Sequence, residues 1–373
     1  MQLTRVAAAA LTASVSLFAL TACGPPSSST DNAGSDAASA TSAEDLGGMD
    51  ALIKAAQKEG ELNVIALPPT WANYGEIIKT FADKYKIKVN SALPDAASQD
   101  EINAAKQQKG KSTAPDVFDV GQSVALANTD MFAPYKVATW GDVPDGFKEE
   151  TGLWVNDYGG YMAIGYNSDK VPDVTKLSDL LAPEFKGAVA LNGDPTQAGA
   201  AFSGVMMAAL ANGGSADDIA PGVNFFEKLK NAGNFVAVDP TPATIESGQT
   251  PVVLDWDYLN AAETAKLPSW KVVIPSDGAP VAGYYFQAIN KDAPHPAAAR
   301  LWQEFLYSDE GQNLWLAGGA RPIRGDAMAK AGTIDKAKWD ALPTVAGTPV
   351  TPTEAQNKAA ADYLAANWAK VVG

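Results

Sequence analysis

Residues 251–260 read PVVLDWDYLN. The first four close a buried strand, Asp255, Trp256, Asp257 and Tyr258 follow, and LNAAETAK from 259 to 266 suits a helix. A short apolar run passing directly into a helical one predicts a parallel α/β sheet. Ligands of open α/β sheets sit beyond the carboxyl ends of the strands. Two carboxylates and two aromatic rings at such a place suit an organic cation, with charge from Asp and a flat face from Trp256 or Tyr258. The same residues have a plainer use. Asp255 or Asp257 can cap the helix by accepting backbone N–H bonds, and Trp256 can be core. Both uses are compatible, one Asp capping and the other facing a cleft.

The chain on either side repeats this alternation. The strand 62–67, LNVIAL, empties into Pro68, Pro69, Thr70 and Trp71, before a helix over 74–85 that turns Ile77, Ile78 and Phe81 inward and a second strand at 87–91. Strand, helix, strand at this spacing predicts a parallel βαβ unit. Residues 117–121 form a strand end opening at Gln122 and Ser123. Residues 153–158 and 161–166 read as two strands separated by Gly159 and Gly160. Strand 189–191 ends in Asn192, Gly193, Asp194, Pro195, Thr196 and Gln197, ahead of a small-residue helix over 198–212. The start of that helix offers N–H groups and partial positive charge to an anion, or Asp194 or Thr196 caps it. Further strands are expected at 235–238, 272–275 and 284–289. The helix over 297–307 turns Leu301, Trp302, Phe305 and Leu306 inward, and a final amphipathic helix over 354–371 carries Tyr363 and Trp368.

With 373 residues, 46% of them hydrophobic, the chain can build one or two domains with real cores. Its 28 Lys and Arg against 43 Asp and Glu leave a net charge of -15 and no basic block, which excludes nucleic acid as a partner. AKQQKGKS at 105–112 matches a loose form of the phosphate-binding loop. That loop needs a strand before it and a helix after its Lys-Ser. Here a helix comes first and a strand follows, so Lys109 and Lys111 read as a solvated helix end. At the amino terminus a charged start and an apolar run over 6–20 lead to Leu20-Thr21-Ala22-Cys23, which resembles a bacterial lipobox. Residues 1–23 then form a lipoprotein signal, Cys23 carries the lipid, and the Ser-, Ala- and Gly-rich stretch 24–48 is a flexible tether. Cys23 is the sole cysteine, so an intramolecular disulfide is excluded. The expected setting is extracytoplasmic, anchored to the cell membrane.

The segment 287–324, QAINKDAPHPAAARLWQEFLYSDEGQNLWLAGGARPIR, resembles the carboxyl-terminal signature of bacterial solute-binding proteins of ABC importers. The likeness is to the subgroup serving ferric iron, thiamine, polyamines and aminoethylphosphonate. Its marks are Ala293-Pro294-His295-Pro296, the helix with Phe305, residues 308–312, and Arg321-Pro322; the turn Asp194-Pro195-Thr196 with Gly199 is similar too. The resemblance implies a two-lobed, type II periplasmic-binding-protein-like α/β fold, with the ligand between lobes joined by two hinge strands. Those strands would cross near 162–166 and 283–287. Lobe one would comprise 49–163 plus 287–373 and lobe two 164–286. Strand ends from both lobes then bring Pro69, Thr70, Trp71, Gln122, Asp194, Thr196, Gln197, Asp255, Trp256, Asp257 and Tyr258 to one cleft, with Tyr284 and Tyr285 from the hinge. A permease and its ATPase are the implied partners of a monomeric, cofactor-free binding protein.

For the ligand, a cationic or zwitterionic amine, polyamine or aminophosphonate-like, fits Asp255, Asp257 and the neighbouring rings best. Ferric iron is the alternative that Tyr284-Tyr285 invites. Adjacent strand residues point to opposite faces, however, so only one of the two reaches a cleft, and no metal is expected. The sole histidine, His295, stands between two prolines and reads as structural. The rival class is an extracytoplasmic hydrolase using Asp255 and Asp257 as a carboxylate pair; with one His and one Cys, most triads and His metal sites are excluded.

Overall fold

The computed structural model describes residues 37–372; the expected signal 1–23, Cys23 and the tether up to residue 36 lie outside the described residues. Strands β1 (Glu61–Ile65) and β2 (Lys88–Ala92) pair in parallel around the helix Tyr74–Tyr85. That helix buries Ile77 and Phe81, the latter 5.1 Å from the Trp302 ring of the helix Pro296–Leu306. Strand β3 (Val117–Val120) runs beside β1. Asn63 donates its N–H to the Asp116 carboxylate (2.7 Å) and accepts the Asp116 N–H (2.9 Å). Strand β4 (Phe132–Ala133) belongs to the same sheet as β3.

Strand β5 (Val155–Asn167) organises the rest. Its first half is antiparallel to β9 (Ala282–Asn290), and β9 in turn is antiparallel to β3 and β4. Between Tyr161 and Met162 the partner changes. From Met162 onward β5 lies between β7 (Val252–Trp256) and β8 (Trp270–Val273), and β6 (Val189–Leu191) adds to β7 in parallel. Strand β10 (Arg321–Pro322) edges the first half. One strand thus belongs to two sheets, and the molecule has two α/β lobes with the strand switch between them.

The sequence predicted two strands broken at Gly159 and Gly160, but there is one, with a register shift between Asn156 and Gly159. The glycines admit neighbours. A Cβ on Gly159 would stand 2.2 Å from the Gly283 carbonyl and 2.6 Å from the Tyr284 ring, and one on Gly160 would stand 2.1 Å from Asp257 Oδ1. The strand expected at 235–238 reduces to a bridge from Phe235 to Val189.

Two more expectations meet a different arrangement. Residues 37–48, expected within the flexible tether, are packed. Ala37, Ala40 and Ala43 are buried, and Arg300 donates from Nε to the Ala40 carbonyl and from Nη2 to that of Ala38. The final helix, Glu354–Val372, touches both lobes. Asn357 donates to Gln122 Oε1 (3.1 Å), and Trp368 packs edge-on against Phe226, 5.2 Å away, on the helix Ala220–Ala232. No helix among the described residues is long and apolar enough to cross a membrane.

If the switch depends on bare backbone, Gly159→Ala lowers stability by about 1–3 kcal/mol through overpacking. Gly146→Ala, whose Cβ meets nothing within 4 Å, stays within about 0.5 kcal/mol. Denaturant unfolding of the two variants checks this; equal midpoints contradict it.

Candidate functional site: an acidic cleft walled by aromatic rings

A cleft of about 1270 Å³ opens where β1, β3, β6 and β7 end. After β1 the chain turns sharply, with Ala66, Ala72 and Asn73 in the left-handed region (φ 57°, 44° and 69°). Non-glycine residues hold that conformation where surrounding structure enforces it, often at binding sites. The turn is fixed by the Gly75 N–H donating to the Pro69 carbonyl (3.0 Å), and it projects Trp71 into the cleft. The Trp71 indole donates to the Tyr158 hydroxyl at 2.8 Å and packs edge-on against Tyr285 and Tyr258, with centroids 5.9 and 6.2 Å away. Tyr158 lies between Tyr285 (5.4 Å, nearly parallel) and Trp315 (4.1 Å). These rings hold one another in place.

Two acids face the cleft from opposite lobes. Asp119, on β3, is buried; its Oδ2 accepts the hydroxyls of Tyr74 and Tyr158, and its Oδ1 has no partner. Burial pushes its carboxyl above the ordinary range, partly opposed by those two hydroxyls. Glu101 sits behind it, accepts the Asp119 N–H at 3.0 Å and is raised by burial, then by the Asp119 charge. Asp255, at the end of β7, accepts from Asn192 Nδ2 (2.7 Å) and from the Trp256 N–H (2.8 Å). Burial lifts it to about 7 against those bonds. Both acids bear on the same two hydroxyls, Tyr258 and Tyr285, whose ionisation burial already disfavours.

Of the residues singled out from sequence, Pro69, Thr70, Trp71, Gln197, Asp255 and Tyr285 line this cleft. Asp257 faces the hinge instead. Its Oδ1 accepts the N–H groups of Tyr161 and Tyr258, both at 3.0 Å, and its Oδ2 lies 3.5 Å from Arg321 Nε. Burial raises it to about 6, with Arg321 opposing. Asp255 and Asp257 therefore do not face one cavity as a pair, and neither caps the following helix. Tyr258 lies behind Trp71 with its hydroxyl unpartnered. Asp194 folds back on itself, its Oδ1 accepting both the N–H and the hydroxyl of Thr196 at 2.8 Å. Gln122, Thr196, Trp256 and Tyr284 line a second, smaller chamber. Tyr284 and Tyr285 face opposite sides of β9, Tyr284 against Phe147 (4.9 Å) and Tyr285 against Trp71. His295 ties Asp116 through Nδ1 (2.9 Å) and its backbone N–H (2.7 Å). Among the described residues no group of three or more His, Cys, Asp or Glu side chains could hold a metal ion. Sequence reading missed Asp119, Glu101, Tyr74, Tyr158 and Trp315. Only Asp119 left a signal, as the one charge inside the apolar run VFDVG at 117–121.

Two α/β lobes, one strand shared by their sheets and a cleft at the strand ends make a two-lobed fold with a binding-sized cavity. The sequence family described as bacterial extracellular solute-binding protein matches residues 113–347, more than half the chain, and the chain belongs to that family. No curated protein matches it in sequence. Solved structures share the fold. A ferric binding protein from Campylobacter jejuni is 19% identical, with 83% of this chain and 99% of that one covered and a TM-score of 0.61. A periplasmic binding protein from A. tumefaciens R10 in complex with agropinic acid is 17% identical, with 84% and 98% covered and a TM-score of 0.63. The spermidine/putrescine substrate-binding protein of Streptococcus pneumoniae is 14% identical, with 84% and 99% covered and a TM-score of 0.59.

The raised Asp255 has a consequence for stability. Its folded value of about 7 exceeds the reference value of 3.8, so the folded state holds a proton that the unfolded state has lost. The stability it contributes is intact below about pH 4 and is lost as pH rises to about 7. Asp255→Asn removes this dependence and stabilises the ligand-free protein more at pH 8 than at pH 5, at about 1.4 kcal/mol per pKa unit and a few kcal/mol at most. Thermal unfolding across pH checks this; a wild-type-to-variant difference that ignores pH contradicts it.

Proposed function

We propose that this protein is the extracytoplasmic binding component of an ABC importer, and that it captures a small organic cation, an amine, by closing its lobes around it. The carrying observation is the pair Asp119 and Asp255. Each comes from a different lobe, each is buried, and no cationic side chain contributes to the ionisation of either. A buried carboxylate without a counter-charge is costly. A protonated amine supplies the charge, donates to the buried, unpartnered Asp119 Oδ1 as the lobes close, and places its carbon stem on the faces of Trp71 and Tyr285. Polyamines belong to this class, as does the amine end of an aminophosphonate.

The lobe division at 49–163 plus 287–373 and 164–286 is proposed on the same basis. The change of strand partner at Tyr161 and Met162 supports its first boundary. Cys23 is the proposed site of the lipid anchor, the permease and ATPase are the proposed partners, and the protein acts as a monomer without turning its ligand over. The second reading is ferric iron, favoured by the tyrosine hydroxyls of Tyr158, Tyr258 and Tyr285 about one acid. Against it, burial and the Asp119 charge disfavour the phenolate forms.

A thermal-shift series with putrescine, spermidine, aminoethylphosphonate and ferric citrate separates the two. An amine at a hundred times its dissociation constant adds about 2.7 kcal/mol. Asp119→Asn and Asp255→Asn each weaken it at least about tenfold while the fold survives, the loss of one charge-assisted bond being worth about 1.5–3 kcal/mol. Stabilisation by ferric citrate alone, or unchanged amine affinity in both variants, overturns the reading.

A further inference from the structure

The cleft does not end at Tyr285. A second chamber of about 360 Å³ lies beyond it, and Gly121, Ser123, Gln197 and Tyr285 line both spaces. The two differ in chemistry. The first is lined by five acids, Asp119, Asp255 and Glu101 among them, and by Lys266 and Lys338, whereas no Asp, Glu, Lys or Arg lines the second. Phe147, Trp154, Phe202, Met206, Trp256 and Phe286 form its apolar wall, beside uncharged polar groups such as Asn156 and Ser203. Trp154 and Phe286 pack together at 4.6 Å, so part of this wall is a fixed aromatic surface. Trp256 is buried, and its indole N–H has no partner. The final helix closes the outer end, where the Gln122 amide is held by the Pro352 carbonyl (3.1 Å) and by Asn357.

We infer that the ligand has two parts, an ammonium group held by Asp119 and Asp255 and an uncharged aromatic or bulky apolar group seated in the second chamber past Tyr285. This rests on the amine reading above and narrows it. A linear polyamine reaching through both spaces would bury its second ammonium among rings with no carboxylate, an uncompensated charge. An apolar body there removes its own surface from water and can also offer an acceptor to the Trp256 N–H. Arylalkylamines are the chemical class that fits.

Titration calorimetry of the wild-type protein with butylamine, 2-phenylethylamine, tryptamine, spermidine and the neutral 2-phenylethanol tests this. The expected order puts the two arylalkylamines at least about tenfold tighter than butylamine, and 2-phenylethanol at least about tenfold weaker than 2-phenylethylamine. Ser203→Phe, which occupies the second chamber, brings 2-phenylethylamine down to the butylamine level. If butylamine or spermidine binds and an aryl group adds nothing, or if spermidine is the tightest probe, the two-part ligand is wrong and the amine reading stands. If no amine binds, both are wrong.

Discussion

Two carboxylates removed from water without a cation are the constraint that orders this molecule. The interior disfavours their charge, so each is kept usable by bonds that tolerate its absence: Tyr74 and Tyr158 on Asp119, Asn192 and the Trp256 N–H on Asp255. Those bonds lower the two carboxyls without returning either to its ordinary value. On the proposed reading, that leaves the site prepared for positive charge. Binding energy in such a site comes from completing an electrostatic arrangement already in place rather than from building one.

The backbone explains why the acids stand in different lobes. Strand β5 gives its first half to one sheet and its second half to another, and the change falls where Gly159, Gly160 and Gly283 leave room for Tyr284, Asp257 and Trp256. Asp257 bonds the strand at Tyr161 and lies near Arg321 of β10, so an acid that seemed a ligand group braces the hinge instead. The final helix spans the same gap on the far side, through Gln122 and Phe226. Any relative motion of the lobes must strain or rearrange these ties.

The fold was largely legible in the sequence because it is written in local patterns. Apolar runs that end at Trp71, Gln122, Asn192 and Asp255 mark strand ends, and the helices between them carry the 3.6-residue period. The site was legible only in part. Residues 255–258 announce an acidic, aromatic turn, yet which acid faces the cleft depends on the strand pleat and on Arg321, 64 residues away in the chain. Asp119 was hidden because one charge inside VFDVG looks like an interruption of a strand. Its place in the cleft appears only when Tyr74 and Tyr158 arrive from other elements. Gly159 and Gly160 misled in the other direction, since glycine marks both a turn and a close approach of chains.

The most direct test of the central claim is calorimetry of amine binding at about pH 6.5 in buffers of different ionisation enthalpy, which counts protons exchanged on binding. If Asp119 and Asp255 are largely neutral in the free protein and become charged against the ligand, wild type releases between about one and two protons per bound amine, and Asp255→Asn releases measurably less. Binding with no proton release, or with uptake, would show that the ligand's charge is met somewhere else.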